Sequence, residues 1–341
     1  VVSIAAGESH SLLLKADGTV AACGNHDDWP YSNPWEFPIV VPSGLSNVIA
    51  VSGGDAFSLA LKADGTVVAW GVNTGGQTNV PIGLSNVVAI AAGARHSLAL
   101  RADGTVVGWG TGFWVDSVSN VVAVAAGRNN SLVLDADGKV TAWGLAGSAP
   151  NPSTLSNVVA IAAGDNGNFS GYISWAVLQA DGRVLAGSPF GYLVGPYLSN
   201  VVAIAASRGS DHHISLALMR NGGVAALPWG YNFYASQGQP LLPAGLTNVA
   251  VVAAGETHNL VLVGNAPPVT SALLVNPNWT TNGFSLSLPT DCGRVYRLEY
   301  NDAISNSNWT GLPLVAGNGF LRTLVDASAT GAPRYYRVRR W

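Results

Sequence analysis

Asn86-Val-Val-Ala-Ile-Ala-Ala-Gly93, His96-Ser-Leu-Ala-Leu100, Ala102-Asp-Gly104 and Thr105-Val-Val-Gly-Trp-Gly110 make up one unit, and the chain repeats it seven times. Equivalent glycines fall at Gly7, Gly54, Gly93, Gly127, Gly164 and Gly255, and Ser207 takes the place in the sixth copy. The steps between them are 47, 39, 34, 37, 43 and 48 residues, so a constant framework is joined by connectors of varying length. A period in this range marks a propeller or a solenoid, in which each unit buries its apolar face only against its neighbours.

Three segments of each copy have strand character. Val87 to Ala92 is a continuous run of small and β-branched residues, as a strand covered on both faces requires. Ser97 to Leu100 follows, and Thr105 to Trp109 completes the set. Between the last two stands an Asp-Gly pair, a strong hairpin signal, for which the sequence predicts a type I′ turn with positive φ at both residues. The pair recurs at Asp17-Gly18, Asp64-Gly65, Asp103-Gly104, Asp137-Gly138 and Asp181-Gly182, with Asn221-Gly222 in the sixth copy. Alanine pairs such as Ala91-Ala92 and Ala162-Ala163 suit an inner strand crowded near an axis. No segment holds a helical period, so the chain reads as all-β.

The pattern AAG-x-x-HSLAL-x-ADGTVVAWG resembles the repeat of the regulator-of-chromosome-condensation (RCC1-like) propellers, and the resemblance implies seven blades. Trp70-Gly-Val-Asn-Thr-Gly-Gly-Gln-Thr-Asn-Val-Pro81 is similar to the short repeats of propellers of the bacterial β-lactamase inhibitor protein II type. The resemblance spans residues 1 to 264 and speaks for fold. Members of the class include exchange factors, inhibitors and interaction scaffolds, so it does not carry one function with it.

Composition narrows the field. Charged residues make up 10% of the chain, hydrophobic residues 48%, and the net charge is −3. No basic run appears, which argues against nucleic acid as a partner. No apolar stretch reaches the ~20 residues that span a bilayer. The chain starts at Val1 without an initiator Met or a leader pattern, as expected of a mature or excerpted protein. Low charge with abundant Gly, Ser, Thr, Asn and Trp predicts a secreted, extracellular or cell-surface bacterial protein. Cys23 occupies the position of Trp70, Trp109 and Trp143 and reads as a blade-packing residue, whereas Cys292 lies far off; pairing is not fixed by the sequence.

The repeat stops at Gly264-Asn265, and Ala266-Pro-Pro268 reads as a linker, giving a propeller over 1–265 and a second unit over 266–341. Alternation resumes in Phe284 to Leu288, Arg294 to Tyr300, Phe320 to Val325 and Arg334 to Arg340, which predicts half-buried strands of a small antiparallel β-sandwich. This segment resembles the C-terminal modules of secreted planctomycete and verrucomicrobial proteins, which implies attachment rather than catalysis.

Chemistry is sparse. Glu8-Ser-His10 and Glu256-Thr-His258 match in the first and seventh copies, and ring closure would bring them side by side. One reading is a carboxylate–imidazole cluster. The other makes His10, His96 and His258 framework residues bonding backbone groups between blades, and it is preferred because these positions follow the repeat. His212-His213 sits in an irregular insert, and adjacent histidines alone do not make a zinc site. No hydrolase elbow, P-loop or dinucleotide fingerprint is present, so no catalytic residue, metal or cofactor is expected.

Connector aromatics carry the best functional signal: Trp29, Tyr31 and Trp35; Phe113 and Trp114; Tyr231, Phe233 and Tyr234. They suit a protein interface or sugar stacking, or else fold back over their own blades. The loops after the repeat glycines should bring Glu8, Asp55, Arg95, Arg128, Asp165 and Glu256 to one face, with Phe169 and Tyr172 in an irregular insert on that face. The expectation is a non-enzymatic protein acting on a protein partner, on itself as a homopolymer, or on a glycan. An inhibitor-like or glycan-binding propeller is the alternative. Counting strands, the seventh copy lacks its third, with Val269 to Val275 or a neighbouring molecule as candidates to supply it.

Overall fold

A computed structural model describes residues 1–24, 39–111, 118–144, 155, 157–164, 175–187, 193–194, 198–207, 215–227, 242–243, 245–255, 258–264, 274–280, 283–291, 293–303, 308–329 and 334–341. Among these the protein is all-β. Sheet 1 comprises Ser3–Ala6, His10–Leu14 and Val20–Gly24. Sheet 2 comprises Val48–Gly53, Phe57–Lys62 and Val67–Gly71. Sheet 3 comprises Val87–Ala92, His96–Arg101 and Val106–Gly110. Sheet 4 comprises Val121–Ala126, Ser131–Asp135 and Val140–Trp143. Sheet 5 comprises Val158–Ala163, Trp175–Gln179 and Val184–Gly187, and adds a short fourth strand, Leu193–Val194, that the sequence did not announce. Sheet 6 holds Val201–Ala205, Leu216–Met219 and Val224–Ala226, and sheet 7 only Val249–Ala254 and Asn259–Val263.

Each sheet is an antiparallel meander whose first strand contacts the first strand of the next sheet, and the first strand of sheet 7 meets that of sheet 1. The units therefore pack around a ring. Two backbone devices join them. On one side of the ring the Asn before the first strand of sheets 2 to 7 is left-handed: Asn47 (φ 58°), Asn86 (φ 56°), Asn120 (φ 58°), Asn157 (φ 54°), Asn200 (φ 61°) and Asn248 (φ 56°). This kink lets the next N–H reach back across the gap, so Val48 N donates to the Gly18 carbonyl of the preceding sheet at 3.0 Å. Val87, Val121, Val201 and Val249 repeat the bond with Gly65, Gly104, Gly182 and Gly222. Asn suits the position because it tolerates φ > 0 better than other residues with a Cβ.

On the other side, the repeat glycines approach the next sheet's backbone. A methyl group on Gly54 would stand 2.8 Å from the Gly93 carbonyl oxygen, and one on Gly7 would stand 2.6 Å from that of Gly54. The requirement here is space, since none of these glycines has positive φ. Ser207 joins the ring by donating its hydroxyl to the Gly255 carbonyl at 2.8 Å.

The hairpins differ from expectation. Gly18 has φ 76°, but Asp17 does not enter the left-handed region. Gly18 N donates to Lys15 O and Lys15 N to Thr19 O, so a three-residue loop ends in a left-handed glycine. The aspartate acts by capping: Asp17 Oδ1 accepts from Thr19 N at 2.9 Å and Thr19 Oγ1 at 2.7 Å. The type I′ prediction fails because a side-chain cap makes the tighter mirror-image turn unnecessary.

From Val275 on, the strands pair with one another. Val275–Thr280, Gly283–Pro289 and Leu321–Asp326 form one sheet. Val295–Asn301 pairs with Thr310–Gly311, Val315–Ala316 and Tyr335–Arg340 in a second. Phe284, Leu286, Leu288, Tyr296, Leu298 and Leu324 form a core between them. The expected half-burial does not hold for Val295–Asn301, which is buried on both faces. Its second face lies against the ring of sheets, as described below.

Substituting Gly54 by Ala should cost about 1–3 kcal/mol, the usual range for forcing a methyl into a packed interior. Urea unfolding at neutral pH measures the loss.

Candidate interaction faces

The ring has two faces. One carries the Asp-Gly hairpins and the left-handed asparagines, and on it rests the module formed from Val275 onward. Val295, Leu314, Ala316 and Trp341 join one apolar cluster with Val88, Val121 and Val122. Leu314 N donates to Ala102 O at 2.9 Å, Arg297 to Asn120 Oδ1 at 3.0 Å and Arg339 to Ala136 O at 2.8 Å. Arg297 is 7% exposed, and burial depresses the pKa of its guanidinium, with Glu299 opposing the shift. Glu299 in turn is bound by Arg337 at 2.6 Å.

The cover is one-sided. Ile49, Val88 and Val122, at one register of sheets 2 to 4, are buried, whereas Val159, Val202 and Ala250 in sheets 5 to 7 are half-buried. A cleft of about 230 Å³ opens where the module meets sheets 1 and 2, lined by Val2, Lys15, Asp17, Ile49, Asn318 and Phe320. Its carboxylate is already committed to Thr19, which lowers the Asp17 pKa.

The opposite face carries the loops after the repeat glycines. Glu8, Asp55, Arg95 and Arg128 sit there on four consecutive sheets. Neighbouring loops are tied by Glu8 N to Gly54 O at 3.1 Å and Ala94 N to Arg128 O at 3.1 Å. Sheets 1 and 2 contribute acids and sheets 3 and 4 bases, so the charge of this arc is divided. Asp165, Phe169, Tyr172 and Glu256 lie outside the described residues, as do Trp29, Tyr31, Trp35, Phe113, Trp114, Tyr231, Phe233, Tyr234, His212, His213 and Cys292.

The histidines are framework residues between blades, and each shares a hydrogen bond with a serine side chain, where the sequence pointed to backbone groups. His10 Nε2 and Ser58 Oγ share a hydrogen bond of 3.0 Å, His96 Nε2 and Ser131 Oγ one of 3.0 Å, and His258 Nε2 and Ser11 Oγ one of 2.8 Å. In each case the imidazole of one sheet reaches the serine of the next. The sequence signal was the serine one position after the histidine's place in the next copy (Ser58, Ser131 and Ser11), legible only once neighbouring sheets are placed side by side. The last of these bonds joins sheet 7 to sheet 1. Among the described residues, no group of three or more His, Cys, Asp or Glu is placed to hold a metal ion. No helix among them is long and apolar enough to cross a membrane.

The repeat profile described as "Regulator of chromosome condensation (RCC1) repeat" matches residues 1–28, 48–77, 87–113 and 121–148. With the ring of antiparallel meanders, this decides the fold. The fold is that of an RCC1-like β-propeller. Its sheets are the blades. Human WBSCR16 is similar with a TM-score of 0.56 and 22% identity, over 77% of this chain and 87% of that one. Prp20p from Saccharomyces cerevisiae has a TM-score of 0.55 and 18% identity, over 76% and 81% of the two chains. The ectodomain of the Physcomitrella patens receptor kinase CR4 has a TM-score of 0.56 and 19% identity, over 81% and 76%. No curated protein sequence matches the chain. At these identities the likeness speaks for fold alone.

Cys23 was expected to pack within its blade, but it is an exposed free thiol. Trp70, at the same register, clusters with Leu12, Leu14 and Val20 of the preceding blade. By that rule Cys23 points toward blade 7, which has no outer strand among the described residues.

Burial lowers the pKa of His258, so the folded protein resists its protonation. The unfolded chain takes up that proton near pH 6.5. The stability from the neutral His258–Ser11 bond is thus present above about pH 6.5 and declines as pH falls below it. Urea midpoints measured across this range should fall on acidification, and His258→Gln, which keeps a hydrogen-bonding group, should flatten the slope.

Proposed function

We propose that the protein is a secreted, non-enzymatic interaction protein, a closed seven-bladed propeller with its module fixed on one face, that self-assembles head to tail into an extracellular fibre. One observation carries the reading. The middle strand of blade 7, Asn259–Val263, is half-exposed over Leu260, Val261 and Leu262, whereas the equivalent Leu98, Ala99 and Leu100 of blade 3 are fully buried. A blade with an uncovered apolar strand needs a partner, and a heterologous contact that does not close builds a filament. The polar groups that the repeat supplies support a binding role over a catalytic one. Histidines bond serines of adjacent blades, and aspartates cap turns, Asp64 being held at about 2 by Thr66 and Lys62.

A second reading has its own support. The divided charge at Glu8, Asp55, Arg95 and Arg128 suits a protein partner of complementary pattern on the uncovered face, as an inhibitor-like module would use. Prp20p, which shares the fold, is described by its binding to Gsp1p and histones. A glycan-binding role would rest on the connector aromatics.

Sedimentation of the purified chain over a range of concentrations at neutral pH tests the first reading. Growing oligomers are expected, and a sharp monomer at every concentration would sink self-assembly. Alanine at Glu8, Asp55, Arg95 and Arg128 together should leave oligomer growth unchanged, because the fibre joint lies elsewhere. Loss of oligomers in that variant would transfer the assembly role to this face.

A further inference from the structure

Resting on the self-assembly proposed above, we propose that the fibre joint pairs the open edge of Asn259–Val263 in blade 7 with the free edge of Leu321–Asp326 in the module of a second copy. Blades 1 to 6 each set a third strand against the middle one; blade 7 has none among the described residues, and Val263 is 56% exposed. Val275, one end of the segment considered for that role, is paired with Ser287 in the module, and residues 265–273 lie outside the described residues.

The choice of occupant follows from how the module treats its edges. Natural sheets protect an edge with charge, proline or a bulge. Tyr335–Arg340 carries Arg337, Arg339 and Arg340. Val275–Thr280 carries a left-handed Asn276 (φ 52°), Pro277 and a register shift. Leu321–Asp326 is bonded to Gly283–Pro289 on one side and has no strand on the other among the described residues. Its outward row reads Leu321, Thr323 and Val325, with Leu321 53% and Val325 55% exposed. The exposed row of Leu321–Asp326 is uncharged, its Arg322 and Asp326 lying on the other face, Asn259–Val263 carries no charge, and five residues face six. Main-chain bonds between two such edges supply affinity, and alternate side chains supply fit. The two edges belong to different parts of the molecule, so pairing them leaves one of each free at the ends and growth continues.

Cys23 gives an independent readout, since it points toward the vacant position. The test uses the full chain carrying Cys292→Ser, followed by sedimentation and by alkylation of Cys23. Polymer is expected, with Cys23 labelled more slowly in polymer than in dilute monomer. Val263→Lys and Val325→Lys alter exposed side chains and should leave the fold intact, yet each alone should abolish polymer. Mixed in equal amounts they should give dimers and nothing larger, because each keeps the edge that the other has lost. Polymer that persists in either variant, or dimers formed by one variant alone, overturns this joint while self-assembly stands. A parent chain that remains monomeric overturns both.

Discussion

The structure depends on how closely two blades can approach at the glycine ring. There the backbone of one blade comes so near that of the next that even a methyl group would overlap a carbonyl oxygen. Once that distance is set, the rest follows. The imidazole of one blade falls within reach of the serine hydroxyl of the next, and the left-handed asparagines can pass an N–H back to the preceding hairpin. Each bond is modest by itself, about 0.5–1.5 kcal/mol net for a neutral pair. They recur around the ring, so register is specified many times over. A single loss, such as the sixth-copy glycine, is tolerated when Ser207 replaces a contact with a hydrogen bond.

The same spacing explains how the polar side chains of the repeat are engaged. A catalytic group needs a proton-transfer partner that is not already engaged. His10, His96 and His258 each hold a serine, and Asp17, Asp64 and Asp103 each hold a threonine. In the module, Asp326 is buried, which by itself would raise its pKa, but the donors of Ser328, Tyr336 and Arg334 outweigh burial and hold it low. Tyr336, beside it, is pushed up to about 12 by burial and by that carboxylate. Asp326 thus accepts from Ser328, Tyr336 and Arg334 in one buried network.

The sequence made the repeat, its glycines and its hairpins legible because each copy restates them in the same order. It misled at the Asp-Gly turns, where propensity points to a mirror-image turn but the side chain of Asp17 can cap a longer loop. It was silent about the module's seat. Nothing in Val295–Asn301 shows that Arg297 and Glu299 face another part of the chain, since alternation of apolar and charged residues is also the mark of a solvated face. Only the placing of Asn120 and Trp341 against Arg297 turns that charge inward. Cys23 was misjudged for a related reason: its register is that of a packing residue, but packing depends on what the preceding blade supplies.

Ring closure and edge completion are separate problems, and this chain solves them with different strands. Closure uses the first and second strands of blade 7: the first strand meets that of blade 1, and His258 reaches Ser11. Neither contact involves an outer strand. The outer position, unfilled among the described residues, can therefore stand open without loosening the ring, whereas in blades 1 to 6 the outer strand also buries the middle one. An opening at an inner strand would expose the axis and cost the whole fold. At the rim it leaves one strand, Asn259–Val263, without an outer neighbour among the described residues. In the self-assembly proposed above, a partner would cover that strand without disturbing the contacts through which blade 7 closes on blade 1.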